Sequence, residues 1–154
     1  MKGLVFEADS FSVSDTERIV KEFYKKYLEN LQGAVLLLQG NLGSGKTTFC
    51  KIIGKLLGIP VEINSPSFNI YNLYAYNQKV FIHYDLYRLK QPEFEELELR
   101  ELWFDLYQGQ YTIHAIEWWE KAEKIESKLT RFSIQLEFLY DQPTGRRIRI
   151  FQLE

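Results

Sequence analysis

The pattern with the most direct chemical meaning is the phosphate-loop pattern G-x-x-x-x-G-K-[ST], which residues 40–47 match. Its glycines let the backbone turn tightly, so that backbone N–H groups can approach phosphate oxygens. The Lys46 ammonium supplies a point charge for the β- and γ-phosphates, and the Thr47 hydroxyl can ligate Mg²⁺. The helix that follows directs the positive end of its dipole at the same anion. The pattern therefore predicts a site for a nucleoside triphosphate.

Two carboxylates follow apolar, strand-like runs further along the chain. Asp85 ends residues 80–85, and Glu117 ends residues 113–117. A carboxylate at the carboxyl end of a strand lies at the edge of the sheet where α/β proteins bind ligands. Either carboxylate could hold Mg²⁺, directly or through water, or orient an attacking water. Each could also be a solvated strand end, and the sequence leaves both interpretations open.

Further polar residues lie near these two acids in sequence. His83 would share a strand face with Asp85, which allows a hydrogen-bond relay or a structural histidine. Arg88 could reach a phosphate or pair with an acid. Residues 65–68, Ser-Pro-Ser-Phe, could respond to a γ-phosphate as switch loops do, or simply form a capped proline turn. Arg146 begins a short basic run that could reach a nucleotide or a partner, or remain solvated.

The elements that position these residues follow from the hydrophobic pattern. The uninterrupted apolar run 34–38 predicts a buried strand directly before the phosphate loop. Residues 48–57 have helical spacing, and Gly58 and Pro60 end that helix. The remaining predicted elements are a helix over about 15–30 with a capping box at Ser14 and Glu17, strands over 4–8, 68–76, 79–85, 111–117, 131–140 and 146–151, a turn at Asn77-Gln78, and helices over 92–105 and 119–127.

Length and composition narrow the class of protein. A chain of 154 residues predicts a single domain over 1–154, and we expect an α/β P-loop NTPase fold whose mixed sheet has a parallel core plus antiparallel hairpins, flanked by helices. The net charge of −2 argues against a large nonspecific nucleic-acid surface. The single cysteine, Cys50, favours a packing role in a reducing compartment. No apolar stretch approaches 18 residues, so we expect a cytoplasmic protein without a membrane segment.

Taken together, four segments resemble the TsaE (YjeE) family, the small bacterial P-loop ATPases of tRNA threonylcarbamoyladenosine synthesis. These segments are residues 40–48, the Ser-Pro-Ser-Phe segment 65–68, the His-Tyr-Asp-Leu-Tyr-Arg-Leu block 83–89, and Ile-Glu-Trp at 116–118. The resemblance covers nearly the whole chain in order and spacing. It implies an ATPase that supports turnover of the TsaB–TsaD complex, which modifies N6 of adenosine 37 in tRNA. The tRNA would be met through that complex, and self-association is left open.

The resemblance also implies roles for particular residues. Lys46, Asp85 and Glu117 would be catalytic, with Thr47 and Glu117 as the Mg²⁺ ligands and ATP as the nucleotide. Trp118 would be a signature aromatic near the nucleotide. The full set expected to contact the nucleotide is Ser10, Asn41, Gly43, Ser44, Gly45, Lys46, Thr47, Thr48, Trp118 and Arg146.

The chain departs from the family pattern at three places. Ser67 replaces the usual threonine, the segment 98–102 lacks a common glycine, and Trp119 follows Trp118 where a smaller residue or proline is usual. Which of the two tryptophans contacts the nucleotide or a partner is left open. Two other classes of protein also remain open from the residues: a small-molecule kinase and a nucleotide-dependent switch that does not hydrolyse.

Overall fold

The fold is built on one seven-stranded mixed sheet. The computed structural model describes residues 3–66, 69–87, 101–122 and 124–153. For residues 101–103 it describes the backbone alone. The strands are β1 Gly3–Ser10, β2 Gly33–Gln39, β3 Tyr71–Tyr76, β4 Lys79–Asp85, β5 Glu101–Phe104, β6 Tyr111–Glu117, β7 Lys124–Ser127, β8 Thr130–Leu139 and β9 Gln142–Gln152. The main sheet has the order β1-β9-β8-β2-β6-β4-β3, and β5 and β7 form a second, two-stranded sheet.

The centre of the main sheet is parallel and its flanks are antiparallel. β2 runs parallel to β6 and to β8, and β4 runs parallel to β6. β3 pairs antiparallel with β4, while β9 pairs antiparallel with both β1 and β8. This arrangement confirms the predicted α/β fold with a parallel core and antiparallel hairpins.

Both faces of the central strands are covered, which explains the uninterrupted apolar run of β2. Leu36 and Leu38 pack on the face that carries the helices, and Val35 and Leu37 pack in a second cluster on the opposite face. A strand buried on both sides needs apolar residues at every position instead of alternation. The helices are α1 Val13–Phe23, which continues as a π-helical turn Tyr24–Leu28, and α2 Lys46–Leu56, with 3₁₀ turns at Tyr107–Gly109 and Trp119–Lys121.

Helix α1 confirms the predicted helix over about 15–30, but its cap lies two residues earlier than expected. The Ser12 hydroxyl accepts a hydrogen bond from the N–H of Asp15, and the Asp15 carboxylate accepts one from the N–H of Phe11. This exchange satisfies two backbone donors at the start of the helix. The predicted capping box at Ser14 and Glu17 is therefore wrong.

Two other helix predictions are wrong in the described part of the chain. Of the helix predicted over 119–127, only the 3₁₀ turn at Trp119–Lys121 is present, and Lys124–Ser127 is strand β7. The helix predicted over 92–105 gives way to strand β5 at Glu101–Phe104, and residues 92–100 lie outside the described residues. The two strands pair in parallel, so pairing between distant segments overrides the local helical spacing.

The other predicted strands are present in the described residues, with β3 starting at Tyr71 where 68 was predicted and β9 starting at Gln142 where 146 was predicted. The turn between β3 and β4 has Asn77 and Gln78 at positive φ, as a tight hairpin turn requires. The final hairpin of β8 and β9 is also confirmed. None of the helices in the described ranges has the length and apolar composition needed to cross a membrane.

Candidate functional site

The candidate site lies at the carboxyl edge of the parallel strands, below the start of α2. In the pairing of β4 with β6, Asp85 is opposite Glu117 and His83 is opposite Ala115. Alternate side chains of a strand share a face, and Phe81, Ile113 and Ala115 pack in the core on the helix side. His83, Asp85 and Glu117 therefore lie on the side of the sheet where α2 begins with Lys46 and Thr47.

The phosphate loop has the backbone that its glycines predict. Gly43 and Gly45 have φ of 78° and 109°, in the region that side chains disfavour. A Cβ on Gly40 would lie 2.6 Å from the carbonyl oxygen of Leu136, so this position must remain glycine. The N–H of Ser44 donates to the carbonyl of Asn41 at 3.0 Å and closes the turn. Asn41, Gly43 and Gly45 thus belong to the turn that precedes the first residue of α2.

Lys46 is nearly buried at the first position of α2. Its Nζ donates to the carbonyl oxygen of Gly40 at 2.7 Å and lies 3.6 Å from the centre of the Trp118 ring. Burial lowers the pKa of the Lys46 ammonium, and the nearby carboxylates of Glu117, Glu120 and Asp85 oppose that shift. The partners of this buried ammonium are a neutral carbonyl and an aromatic ring. A phosphate would offer it a stronger, charge-assisted hydrogen bond.

Thr47 and Glu117 form the oxygen-rich part of the site. The Thr47 hydroxyl lies 3.2 Å and 3.1 Å from the two carboxylate oxygens of Glu117 and 3.2 Å from the Ser65 hydroxyl. Hydroxyl and carboxylate oxygens are the ligands that Mg²⁺ prefers. The donors of this chain therefore fit a magnesium ion held by Thr47 and Glu117, and Ser65 is the described residue of the 65–68 segment that reaches them.

His83 contacts Glu117 instead of forming the relay with Asp85 that the sequence allowed. The Nε2 of His83 hydrogen-bonds to Oε2 of Glu117, and both side chains are buried. Cys50 completes a buried group, because ligand atoms of Cys50, His83 and Glu117 all lie within 4.8 Å of one another. Burial raises the pKa of the Cys50 thiol well above its usual value, which agrees with a packing role.

Asp85 is half-buried at the end of β4. Burial raises the pKa of its carboxyl, while the N–H of Tyr87, which donates to Oδ1 at 2.9 Å, opposes the shift. Asp85 lines a cleft of about 310 Å³ together with Lys46, Thr47, Ser65 and Glu117. The two acids and the two phosphate-loop side chains that the sequence singled out therefore converge on one cavity.

Trp118 closes one side of this cavity. Its φ of 59° is unusual for a residue other than glycine, and such strain collects at functional sites. Tyr87 packs against its ring with centroids 4.8 Å apart and also lines the cleft. Trp118 and Trp119 both pack against the apolar cluster on the other face of the sheet, but of the two only Trp118 lines the cleft. Sequence analysis missed Tyr87, although its position two residues after Asp85 is a signal that could have found it.

A second cleft of about 500 Å³ adjoins the first across the phosphate loop. The two share Gly43, Gly45 and Thr48 as lining residues, and Ser44 is buried beneath the second. Arg146 lines the second cleft, donates to the Gly43 carbonyl at 3.2 Å and lies over the Phe138 ring. Its other lining residues are Ser10, Phe11, Ser12, Val13, Thr16, Leu136, Pro143, Thr144 and Ile148.

Ser10 is placed differently from the other predicted nucleotide contacts. It is 1% exposed, and its hydroxyl bonds to the Ser12 carbonyl and the Thr16 hydroxyl. This side chain holds the start of α1 and takes part in the cleft only as a wall. Arg88 and Ser67 lie outside the described residues.

The fold and the site together define a class of protein. A phosphate loop between a buried parallel strand and a helix, with a carboxylate at the end of the neighbouring strand, is the arrangement of the P-loop NTPase fold. The crystal structure of Bacillus subtilus YdiB has the same fold: it superposes with a TM-score of 0.64 at 23% identity and covers 100% of this chain and 88% of that chain.

Sequence comparison assigns the family. The family model described as threonylcarbamoyl adenosine biosynthesis protein TsaE matches residues 11–148, so this chain belongs to the TsaE family. A protein of Borreliella burgdorferi called tRNA threonylcarbamoyladenosine biosynthesis protein TsaE is 37% identical over 121 residues, which cover 77% of this chain and 85% of that protein. The membership expected from the four sequence segments is confirmed.

Other relatives with the same name match over shorter stretches. The Synechocystis sp. protein is 40% identical over 99 residues, or 62% of this chain and 60% of that protein. The Rickettsia typhi protein is 40% identical over 93 residues, which cover 59% of this chain and 62% of that protein. The matched region thus spans about 60% of the length of these two relatives.

Proposed function

We propose that this protein binds ATP with Mg²⁺ and hydrolyses it in support of tRNA threonylcarbamoyladenosine synthesis. The observation that carries the proposal is the convergence of Lys46, Thr47, Asp85 and Glu117 on one cleft of about 310 Å³. A site that only held phosphate would need the loop and the lysine. Two acids beside the metal-binding hydroxyl add what hydrolysis requires, a magnesium ligand and a group that orients water.

The phosphates would lie against the phosphate loop. Lys46 would exchange the Gly40 carbonyl for phosphate oxygens, a charge-assisted contact stronger than the neutral one it replaces. The dipole of α2 and the loop N–H groups would act on the same anion. Because Lys46 is 5% exposed, little water would remain to weaken these contacts.

The two acids would have separate roles. Glu117, with Thr47, would hold Mg²⁺, which when bound would neutralise charge on the β- and γ-phosphates. Asp85 lies on the adjacent strand and lines the same cleft, where it can accept a hydrogen bond from the attacking water. Trp118, fixed over Lys46, would close the cleft on the side of the phosphates.

The second cleft is the place for the base and ribose. It adjoins the phosphate cleft through Gly43, Gly45 and Thr48, and apolar side chains such as Phe11 and Val13 form part of its wall. The planar guanidinium of Arg146, already stacked over Phe138, offers a flat surface to a base.

The biological setting follows from the family. The relatives are named for tRNA threonylcarbamoyladenosine biosynthesis. We infer that this cytoplasmic, single-domain protein supports turnover of the TsaB–TsaD complex and reaches tRNA through it. Water is then the only phosphoryl acceptor, and the energy of hydrolysis resets the partner complex between modification events.

Reconstitution tests this proposal. Purified protein is incubated with Mg-ATP alone and with TsaB, TsaD, tRNA and the threonylcarbamoyl donor, and phosphate release and modified tRNA are both quantified. The proposal predicts slow release alone, faster release with the partners, and multiple rounds of tRNA modification only when the protein is present. Phosphate transfer to a small metabolite, or modification that is unaffected by the protein, would contradict it.

A further inference from the structure

The hydrogen bond between His83 and Glu117 is the feature of the site that the proposed function leaves unused. His83 lies in β4 with 0% exposure, and Glu117 at the end of β6 is 3% exposed. The Glu117 carboxylate is approached from two sides, by the Thr47 hydroxyl and by the His83 ring. Since a carboxylate only accepts hydrogen bonds, Nε2 of His83 is the donor.

We propose that His83 is a positioning residue, which fixes the orientation of the Glu117 carboxylate so that it can ligate Mg²⁺ together with Thr47. The inference rests on the proposed function, because it concerns the metal that accompanies the nucleotide. His83 is not among the residues that line the cleft of about 310 Å³, and it acts through Glu117. A second contact of this kind to a metal-ligating side chain sets its orientation and the affinity for the metal.

Geometry shows why an anchor is needed. The carboxylate of a glutamate rotates freely about its last bond, and the Thr47 hydroxyl, at 3.2 Å and 3.1 Å from the two oxygens, does not distinguish between them. His83 binds Oε2 alone. The bond therefore fixes one rotation of the carboxylate and leaves Oε1 as the oxygen free to turn its lone pairs toward a metal.

The second histidine of the chain shows what a purely structural histidine looks like in this fold. In His114, Nε2 donates to the Asp105 carbonyl at 2.7 Å and Nδ1 accepts from the Tyr84 hydroxyl at 3.0 Å. In His83, Nδ1 has no hydrogen-bond partner among the described residues although it is buried. A core histidine kept for stability would have both nitrogens satisfied. Among the described residues, the one hydrogen-bond partner of the His83 ring is Glu117.

Three variants separate positioning from general damage. His83→Leu removes the donor, and His83→Gln places an amide N–H where it can reach Glu117. His114→Gln is the matched control, because His114 is also a buried histidine but lies on the opposite face of the sheet, among Tyr84 and Phe104. Thermal unfolding of each variant establishes that it folds.

The readout is the gain in nucleotide affinity that Mg²⁺ provides. The dissociation constant of a non-hydrolysable ATP analogue is measured by calorimetry in EDTA and in Mg²⁺, and the ratio is compared between variants. We expect His83→Leu to keep the affinity in EDTA and to lose about 10- to 100-fold of the gain from Mg²⁺. His83→Gln should recover most of the gain, and His114→Gln should keep all of it.

The result that would overturn the role of His83 differs from the result that would refute the proposed function. A His83→Leu protein with the wild-type gain, or with equal losses in EDTA and in Mg²⁺, would overturn the positioning role while the proposed function stands. A wild-type protein that does not bind the analogue at all would instead refute the proposed function.

If His83→Leu does not fold, the wild-type protein supplies the test. The chain has two histidines, so ring nitrogens labelled with ¹⁵N give two sets of signals, and His114→Gln assigns them. Saturation with Mg²⁺ and the analogue should shift the signals of His83 and leave those of His114 in place. His83 signals that do not respond would overturn the inference.

Discussion

Two regions of this sheet use charged side chains in opposite ways. On the antiparallel flank, Arg149 lies between Glu7 at 2.8 Å and Glu137 at 3.1 Å, so that one cation joins three strands. At the carboxyl edge of the parallel strands, Lys46 and Glu117 are nearly buried, and Lys46 rests on a carbonyl oxygen. Charges that are exposed and paired stabilise a surface. A buried charge whose hydrogen-bond partner is a neutral group can form a stronger contact when a charged ligand binds.

The pKa directions follow the same division. On the flank, the hydrogen bond from Arg147 lowers the pKa of the Asp9 carboxyl, as for a carboxylate that has found its partner. At the parallel edge, burial raises the pKa of Asp85 and lowers that of Lys46, so both charged forms are disfavoured by their surroundings. Such shifts collect at functional sites, because a bound ligand restores the favourable environment.

Replacing the buried lysine should give the largest effect. Lys46→Ala should weaken ATP binding by at least about 100-fold, since charge-assisted contacts to two phosphates are lost. The free protein should be as heat-stable as the wild type, because the change removes a desolvated ammonium that forms no salt bridge with any residue in the described part of the chain. Calorimetry measures the ATP affinity, and thermal unfolding measures the stability. A Lys46→Ala protein that binds ATP normally but unfolds at a lower temperature would show that Lys46 serves stability and not binding.

Removing either acid should separate binding from hydrolysis. Asp85→Ala should retain the nucleotide, whereas Glu117→Ala should retain it in EDTA but lose the gain in affinity from Mg²⁺; both changes should lower the rate of phosphate release by at least about 100-fold. Nucleotide affinity and phosphate release are measured on the same preparations, with His114→Gln as the folded control. If both acid variants hydrolyse ATP at the wild-type rate, the assignment of the metal and water positions is wrong.

Acidification should lower the stability of the protein through His114, a buried group outside both regions. Burial lowers the pKa of His114 from its usual value of 6.5, so the unfolded chain takes up this proton first as the pH falls. Stability from the neutral ring is present above about pH 6.5 and is lost as the pH falls below it. Urea unfolding at about pH 7.5 and about pH 5.5 should show a smaller difference for His114→Gln. An equal difference in both proteins would remove His114 from the account.

The smallest effect belongs to the paired flank. Arg149→Ala should lower the free energy of unfolding by less than about 1 kcal/mol, because salt bridges near the surface are screened by water. Phosphate release should be unchanged. Chemical unfolding at low and high salt checks the first part, and a large loss of hydrolysis in this variant would show that the flank is not merely structural.

The sequence predicted the parallel edge better than the rest of the molecule. The phosphate loop carries its geometry in its glycines, and Asp85 and Glu117 each end an apolar run, so local signals sufficed. The strands β5 and β7 could not be predicted, because the segments 92–105 and 119–127 have helical spacing, and the pairing of Glu101–Phe104 with Lys124–Ser127 is a contact between distant parts of the chain. The contact of His83 with Glu117 depends on the register of β4 against β6, which no local pattern contains.

The central claim is that the buried charges of the parallel edge are assembled around a magnesium–nucleotide complex. A crystal structure with a non-hydrolysable ATP analogue and Mn²⁺ in place of Mg²⁺ tests this most directly, because anomalous scattering locates the metal. We expect the metal between the Thr47 hydroxyl and the Glu117 carboxylate at about 2.0–2.3 Å, with Lys46 on the β- and γ-phosphates. A metal away from these two residues, or a nucleotide outside the phosphate loop, would contradict the account.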